Sequence, residues 1–367
     1  MNQFDEEYKK IKDYYDDGVS EQKIMLLRER LQERPLVIFG VGEMGIANAR
    51  FCIENNIKID CFCDSNFKGI MSEFSLSVLS PTDVWKKYKN ANIIISSATF
   101  YDEMFDICLQ LGFSQDRIVD DFPQQLGRVS IEELNNHLDG YRWAYNFFTD
   151  EQSKELILSR IKALLFGTVM KKSRSMQYFE DGIIELSNKE VFVDAGGYIG
   201  DTIEDFISIV GDNYKHIYTF EPDTNNFSIL EKKYGSNGKI DIITKGLWNV
   251  ETELQFTENG PCGSFVNASG EDTIPVTTID IFFDRYPSEE KPTYIKMDIE
   301  GAEKELLLGA ENLIRETKPK LAVCVYHKLQ DIYELPQILH QFNPQYNMFL
   351  RHYTRNVFDT VLYAIPR

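Results

Sequence analysis

Short runs of continuous apolar residues alternate along this chain with longer stretches whose apolar positions recur every three or four residues. The runs read as buried parallel strands and the stretches as amphipathic helices, so their alternation predicts an α/β protein. Residues 4–33 have helical period and stop at Pro35. Strands are then predicted at Leu36–Phe39, Ile59–Cys63, Val78–Ser80 and Asn92–Ser97, with a last one at Arg117–Asp120. The pattern returns later in the chain. Val191–Asp194, His216–Phe220, Asp241–Lys245, Tyr294–Met297 and Lys320–Tyr326 read as strands, closed by an antiparallel pair at Tyr346–Leu350 and Thr360–Ile365. Glu253–Phe256 and Ile274–Val276 read as added strands, and Tyr178–Leu186 as a hairpin about Asp181-Gly182. Between the two α/β regions, Ser130–Phe148 and Asp150–Phe166 are helical in period. The prediction is two Rossmann-like domains, 1–125 and 178–367, joined by a helical connector at 126–177.

Two glycine-rich turns follow predicted strands. The first contains Gly40, Gly42 and Gly45 in a G-x-G-x-x-G pattern, with Asp64 ending the next strand at about the spacing of a ribose-binding carboxylate. These four residues are nucleotide-binding candidates. Residues 1–125 contain no histidine, so a general acid or base for a dehydrogenase does not stand out.

The second turn, Asp194-Ala195-Gly196-Gly197-Tyr198-Ile199-Gly200, opens on an acid that would repel a pyrophosphate. An acid there suits a ligand carrying an ammonium and a sulfonium, which points to S-adenosylmethionine. Glu221 ends the next strand, where a carboxylate matches a ribose diol. Gly246 follows the third strand, beside a candidate adenine contact. The loop 260–270 is rich in glycine and serine and is expected to cover the cofactor. Asp298 and Glu300 sit at the carboxyl end of another strand, and His327 ends the one after it. His327 is the general-base candidate, assisted by Asp298. Glu300, Arg351 and His352 are candidates for substrate contact. No metal is assigned; Asp298, Glu300 and His327 would be the ligand set if one were bound.

Composition narrows the partners. Lysine and arginine number 39 against 58 acids, a formal charge of −19, which disfavours nucleic acid and anionic membranes. No run of about 20 apolar residues predicts a membrane span. The polar, acidic start is unlike a signal peptide, and six cysteines without a C-x-x-C pair read as reduced thiols of a cytoplasmic protein.

VFVDAGGYIGDT, YTFEP, TTIDIFF, YIKMDIEGAE, KPKLAVCVYH and the closing RHYTRNVFDTVLYA resemble the FkbM family of S-adenosylmethionine-dependent methyltransferases, over about Tyr178–Arg367. The resemblance implies a class I methyltransferase sheet of seven strands with a reversed final hairpin, and O-methylation of hydroxyls on sugars or natural products. It carries cofactor roles to Asp194, Gly196, Gly200 and Glu221, and makes Asp298 the acid of the family's central motif; Gly197, in the same turn, is a further cofactor-binding candidate. The first domain resembles small Rossmann-like domains attached to glycan-modifying enzymes, which favours a sugar, sugar-nucleotide or glycan acceptor. Two other readings stay open: a NAD-dependent oxidoreductase working through Gly40–Gly45, and a non-catalytic glycan-binding protein. The oligomeric state is open as well.

Overall fold

The computed structural model describes residues 3–16, 21–97, 100–119, 122, 129–260, 263–266, 272–287 and 290–367. The chain divides into two compact units: 1–138 with 155–172 and 354–357, and 139–154 with 173–353 and 358–367. The helices predicted as a connector are thus distributed between the units.

In the first unit, β1 (Leu36–Phe39), β2 (Cys61–Cys63), β3 (Gly69–Met71), β4 (Leu76–Leu79) and β5 (Asn92–Ile95) form a sheet in the order β3-β4-β2-β1-β5. β1 pairs in parallel with β2 and β5. Every residue of β1 and β5 is buried, as expected for strands covered on both faces. Two predictions need correction. Arg117–Asp120 is not a strand: Gln115–Arg117 forms a 3₁₀ turn and Ile118 makes a single bridge to Ile93, while Asp120 lies outside the described residues. The segment around Gly69, expected as loop, supplies β3, which runs antiparallel to β4.

In the second unit, the seven-stranded sheet contains β6 (Val191–Ala195), β7 (His216–Phe220), β8 (Ile240–Ile243), β13 (Tyr294–Met297), β14 (Lys320–Cys324), β15 (Asn347–His352) and β16 (Thr360–Ile365). Its order is β15-β16-β14-β13-β6-β7-β8, with β16 antiparallel to both its neighbours. The chain starts at β6 in the middle, runs out to β8, then crosses back to β13 on the other side of β6. Such a reversal opens a crevice at the carboxyl ends of the two central strands, where open α/β sheets bind ligands. Phe192, Phe206 and Tyr294 stack in the core, with ring centroids 4.8 and 5.1 Å apart. A separate four-stranded sheet is made by β9 (Gly246–Leu247), β10 (Thr252–Gly260), β11 (Gly263–Val266) and β12 (Asp272–Thr277), in the order β11-β10-β12-β9. Residues 178–186 form turns, with one bridge between Met176 and Phe179, in place of the predicted hairpin.

Candidate active site

The carboxyl ends of β6, β7, β13 and β14 bring together the glycine turn, Glu221, the segment Asp298–Glu303 and His327. The turn must approach other backbone closely. A Cβ on Gly196 would lie 1.9 Å from the carbonyl oxygen of Asp298, and one on Gly197 would lie 2.1 Å from Thr219 Oγ1. Gly196 and Gly200 are also left-handed, at φ of 84° and 86°. Gly196 and Gly197 donate N–H bonds to the Phe220 carbonyl, at 3.0 and 3.1 Å, which ties the turn to the end of β7.

Glu221 reaches the same turn. Its Oε2 accepts from Tyr198 N at 2.7 Å and its Oε1 from Asp223 N at 2.8 Å. Burial pushes its carboxyl up to about 7, against the pull of these two N–H donors. Asp223 caps the helix Thr224–Tyr234, so turn, acid and helix form one hydrogen-bonded unit.

Asp194 departs from its expected ligand-facing place. It is fully buried beneath the turn, with Oδ1 3.0 Å from Lys296 Nζ. Lys296, only 3% exposed, also donates to the Gly196 carbonyl at 2.6 Å. Burial opposes its charge, but Asp194 and Asp298 outweigh burial and hold its pKa above the usual value. Asp194 therefore acts on the turn through Lys296. Gly246 pairs with Val276 in the smaller sheet, and a Cβ there would come within 4.0 Å of Pro222, the residue after Glu221.

Asp298 Oδ2 accepts from the Tyr178 hydroxyl at 2.7 Å and Oδ1 from the Tyr326 hydroxyl at 3.3 Å. Burial raises its pKa, but the Lys296 and His327 cations more than offset this, so it stays below the ordinary carboxylate value and is ionised. His327 stands among three acids. Nε2 lies 3.6 Å from Asp298 and 3.5 Å from Glu300, and Nδ1 lies 3.1 Å from Glu303. Burial alone would lower the imidazole's pKa; pairing with Glu300 and Glu303 and the charge of Asp298 bring it up to about 11. This bears on the general-base expectation for His327. A base must be neutral, and here the acids keep the ligand-free imidazole protonated.

Arg351 and His352, expected at the substrate, are buried. They are 9% and 1% exposed; Arg351 pairs with Asp150 at 2.9 Å and His352 with Thr360 at 2.9 Å. Neither faces an open site. In the first unit, a Cβ on Gly40 would lie 2.8 Å from the Ser96 carbonyl oxygen and one on Gly45 2.0 Å from that of Gly40, whereas Gly42 has open space. Asp64 Oδ1 accepts from the N–H groups of Asn66 and Phe67, each at 2.9 Å, and so caps its own loop. The loop predicted to cover the cofactor lies largely outside the described residues; Gly260 and Gly263–Val266 belong to strands. A cavity of about 520 Å³, lined by Arg174, Asp181, Ile209 and Asn213 among others, lies toward the amino ends of β6 and β7, away from this site.

Three residues escaped the sequence reading. Glu303 is buried at the start of the helix Glu303–Leu308; Lys296 lies inside β13. Asp359, in the turn before β16, is pushed up to about 6 by burial and by the charge of Asp298. The only signal in the sequence was an acid or lysine interrupting an apolar run.

A sheet of this order, with a glycine turn after its first strand and an acid after its second, fits a site for an adenosyl ligand. Residues 194–354 match the family model of the methyltransferase FkbM domain, and the chain is an S-adenosylmethionine-dependent methyltransferase. Its cofactor is S-adenosylmethionine. The chain is similar in fold to the methyltransferase FkbM from Methylobacillus flagellatus KT, at 24% identity and a TM-score of 0.59 over 92% of each chain. Fibrillarin from Aeropyrum pernix, with natively bound S-adenosyl-L-methionine, aligns at 12% identity and a TM-score of 0.33, over 50% of this chain and 70% of its own. A SAM-dependent methyltransferase from Aquifex aeolicus aligns at 12% identity and a TM-score of 0.29, over 49% and 84%. Among curated proteins no significant match exists. Among the described residues, no helix is long and apolar enough to cross a membrane.

Proposed function

We propose that this enzyme methylates a hydroxyl of a sugar, sugar nucleotide or glycan. The observation that carries this reading is the polar rim of the crevice. Asp298, the more exposed Glu300 and the Tyr326 hydroxyl converge where an acceptor would meet the glycine turn. Such a rim suits a ligand rich in O–H donors and offers little to an apolar one. The net charge of −19 argues in the same direction, against a nucleic-acid acceptor.

S-adenosylmethionine, when bound, supplies a methyl group activated on a sulfonium. The chain's part is binding and alignment. The glycine turn permits close backbone approach. Glu221, once ionised, accepts from the ribose hydroxyls. Lys296 fixes the turn from below through the Gly196 carbonyl. Asp298, itself held by Tyr178 and Tyr326, accepts the hydrogen bond of the acceptor hydroxyl and orients its oxygen for in-line attack.

The test is transfer of labelled methyl from S-adenosylmethionine to sugar nucleotides and glycan fragments. Label in an ether-linked methyl group is expected. Transfer confined to amines or carboxylates would refute the assignment. Calorimetry with NAD tests the rival reading of the first unit.

A further inference from the structure

We propose that Asp298, Glu303 and His327 together bind one divalent metal cation, with Glu300 closing the site on its exposed side. One donor atom from each of the three lies within 4.8 Å of the others. The backbone folds to make this so. Glu300 and Gly301 are both left-handed, at φ of 54° and 91°, and their reversal turns Glu303 back toward His327. A non-glycine residue held in that conformation costs energy that the surrounding contacts must offset, and such strain clusters at functional sites.

Glu303 is 1% exposed. Its Oε1 accepts from the N–H groups of Ile299 at 2.9 Å and Gly301 at 3.3 Å, which fixes the carboxylate. Its Oε2 has no hydrogen-bond partner among the described residues, and neither does either nitrogen of His327. A buried carboxylate oxygen left so is costly, and a cation would remove that cost. The approaches of 3.1, 3.5 and 3.6 Å are ion-pair separations without hydrogen-bond geometry. Nδ1 faces Glu303 while Nε2 faces Asp298 and Glu300, so the ion would take one ring nitrogen together with one oxygen from each acid, donors that lie within 4.8 Å of one another. Carboxylates with one imidazole suit Mn²⁺ or Mg²⁺ better than a thiolate-seeking metal. Three protein ligands leave coordination positions open, where a hydroxyl could bind and be acidified. That last role rests on the methyl-transfer reading above; the binding itself does not.

The experiment uses the full chain, stripped with EDTA and titrated with Mn²⁺, free ion being followed by electron paramagnetic resonance. A single saturable site competed by Mg²⁺ is expected. Glu303→Gln and His327→Gln should each weaken it by roughly 10–100-fold or more, while the exposed Glu253→Gln leaves it unchanged. In the wild-type chain Mn²⁺ should also broaden the imidazole resonances of His327, a readout that needs no variant to fold. Absence of binding, absence of that broadening, or full affinity in both variants would overturn the proposal. Calorimetry with S-adenosylmethionine on the same samples separates the two ideas: cofactor binding without Mn²⁺ binding sinks the metal site alone, and loss of cofactor binding sinks the methyltransferase reading.

Discussion

At the scale of single residues, Glu221 and Lys296 make opposite demands on water. Glu221 must be ionised to accept from ribose hydroxyls, and burial holds its carboxyl near pH 7. Folding raises this pKa, so the neutral form dominates below about 7 in the free enzyme. Cofactor affinity should therefore rise with pH up to about 7 by as much as tenfold per unit, then level off. Calorimetry between pH 5.5 and 8.5 checks this, and a flat profile would show that Glu221 is not the ribose acceptor. Glu221→Gln should weaken binding by roughly 10–100-fold, the worth of a charge-assisted hydrogen bond of about 1.5–3 kcal/mol. Lys296→Met leaves Asp194 buried without its partner and should cost about 3–5 kcal/mol, read as a lower denaturant midpoint. The double variant with Asp194→Asn should recover part of that loss. Glu221, Asp298 and His327 were legible in the sequence because each ends an apolar run, and a run's end marks a sheet's ligand edge. Lys296, Glu303 and Asp359 were not, because their burial depends on segments far away in sequence. Arg351 and His352 misled for the same reason: strand period does not tell what packs over an edge strand, here the Asp150 carboxylate for Arg351.

At the scale of elements, the two glycine turns look alike in sequence and differ in what their glycines permit. Gly45→Ala would force a Cβ against the Gly40 carbonyl oxygen, and Gly197→Ala would force one against Thr219 Oγ1. Both should lower thermal stability by several degrees. Gly42→Ala meets open space at an ordinary φ of −73° and should leave stability within about 0.5 kcal/mol of wild type. The strands of the seven-stranded sheet, and all but one of the five-stranded sheet, were readable from apolar runs alone. The short β3 was missed because it is exposed, and three residues carry little period. Ile118 was mistaken for part of a strand because a single buried bridge residue has the same local sequence as a strand end.

At the scale of the whole molecule, the likeness to the Methylobacillus flagellatus protein extends over 92% of the chain, well beyond the methyltransferase domain. The fold of the first unit is thus shared with that protein. Its function was not legible, because the residues that would grip a nucleotide there are engaged locally, two glycines in packing and Asp64 Oδ1 in its loop. If the first unit binds NAD, calorimetry on the full chain will detect it, and Gly42→Ala, which leaves packing untouched, should reduce that affinity.

The five cysteines among the described residues are all buried. Burial pushes the thiols of Cys52, Cys61 and Cys108 up to about 12, and raises that of Cys324 well above its usual value. Thiol reagents attack only the thiolate, so these side chains should be silent in the native protein and react only when the chain opens around them. In a Cys262→Ser background, four of the five report on the first unit and Cys324 alone on the second. Mass-resolved alkylation would then give a separate opening rate for each half, and saturating cofactor should slow modification of Cys324 while leaving the other four unchanged.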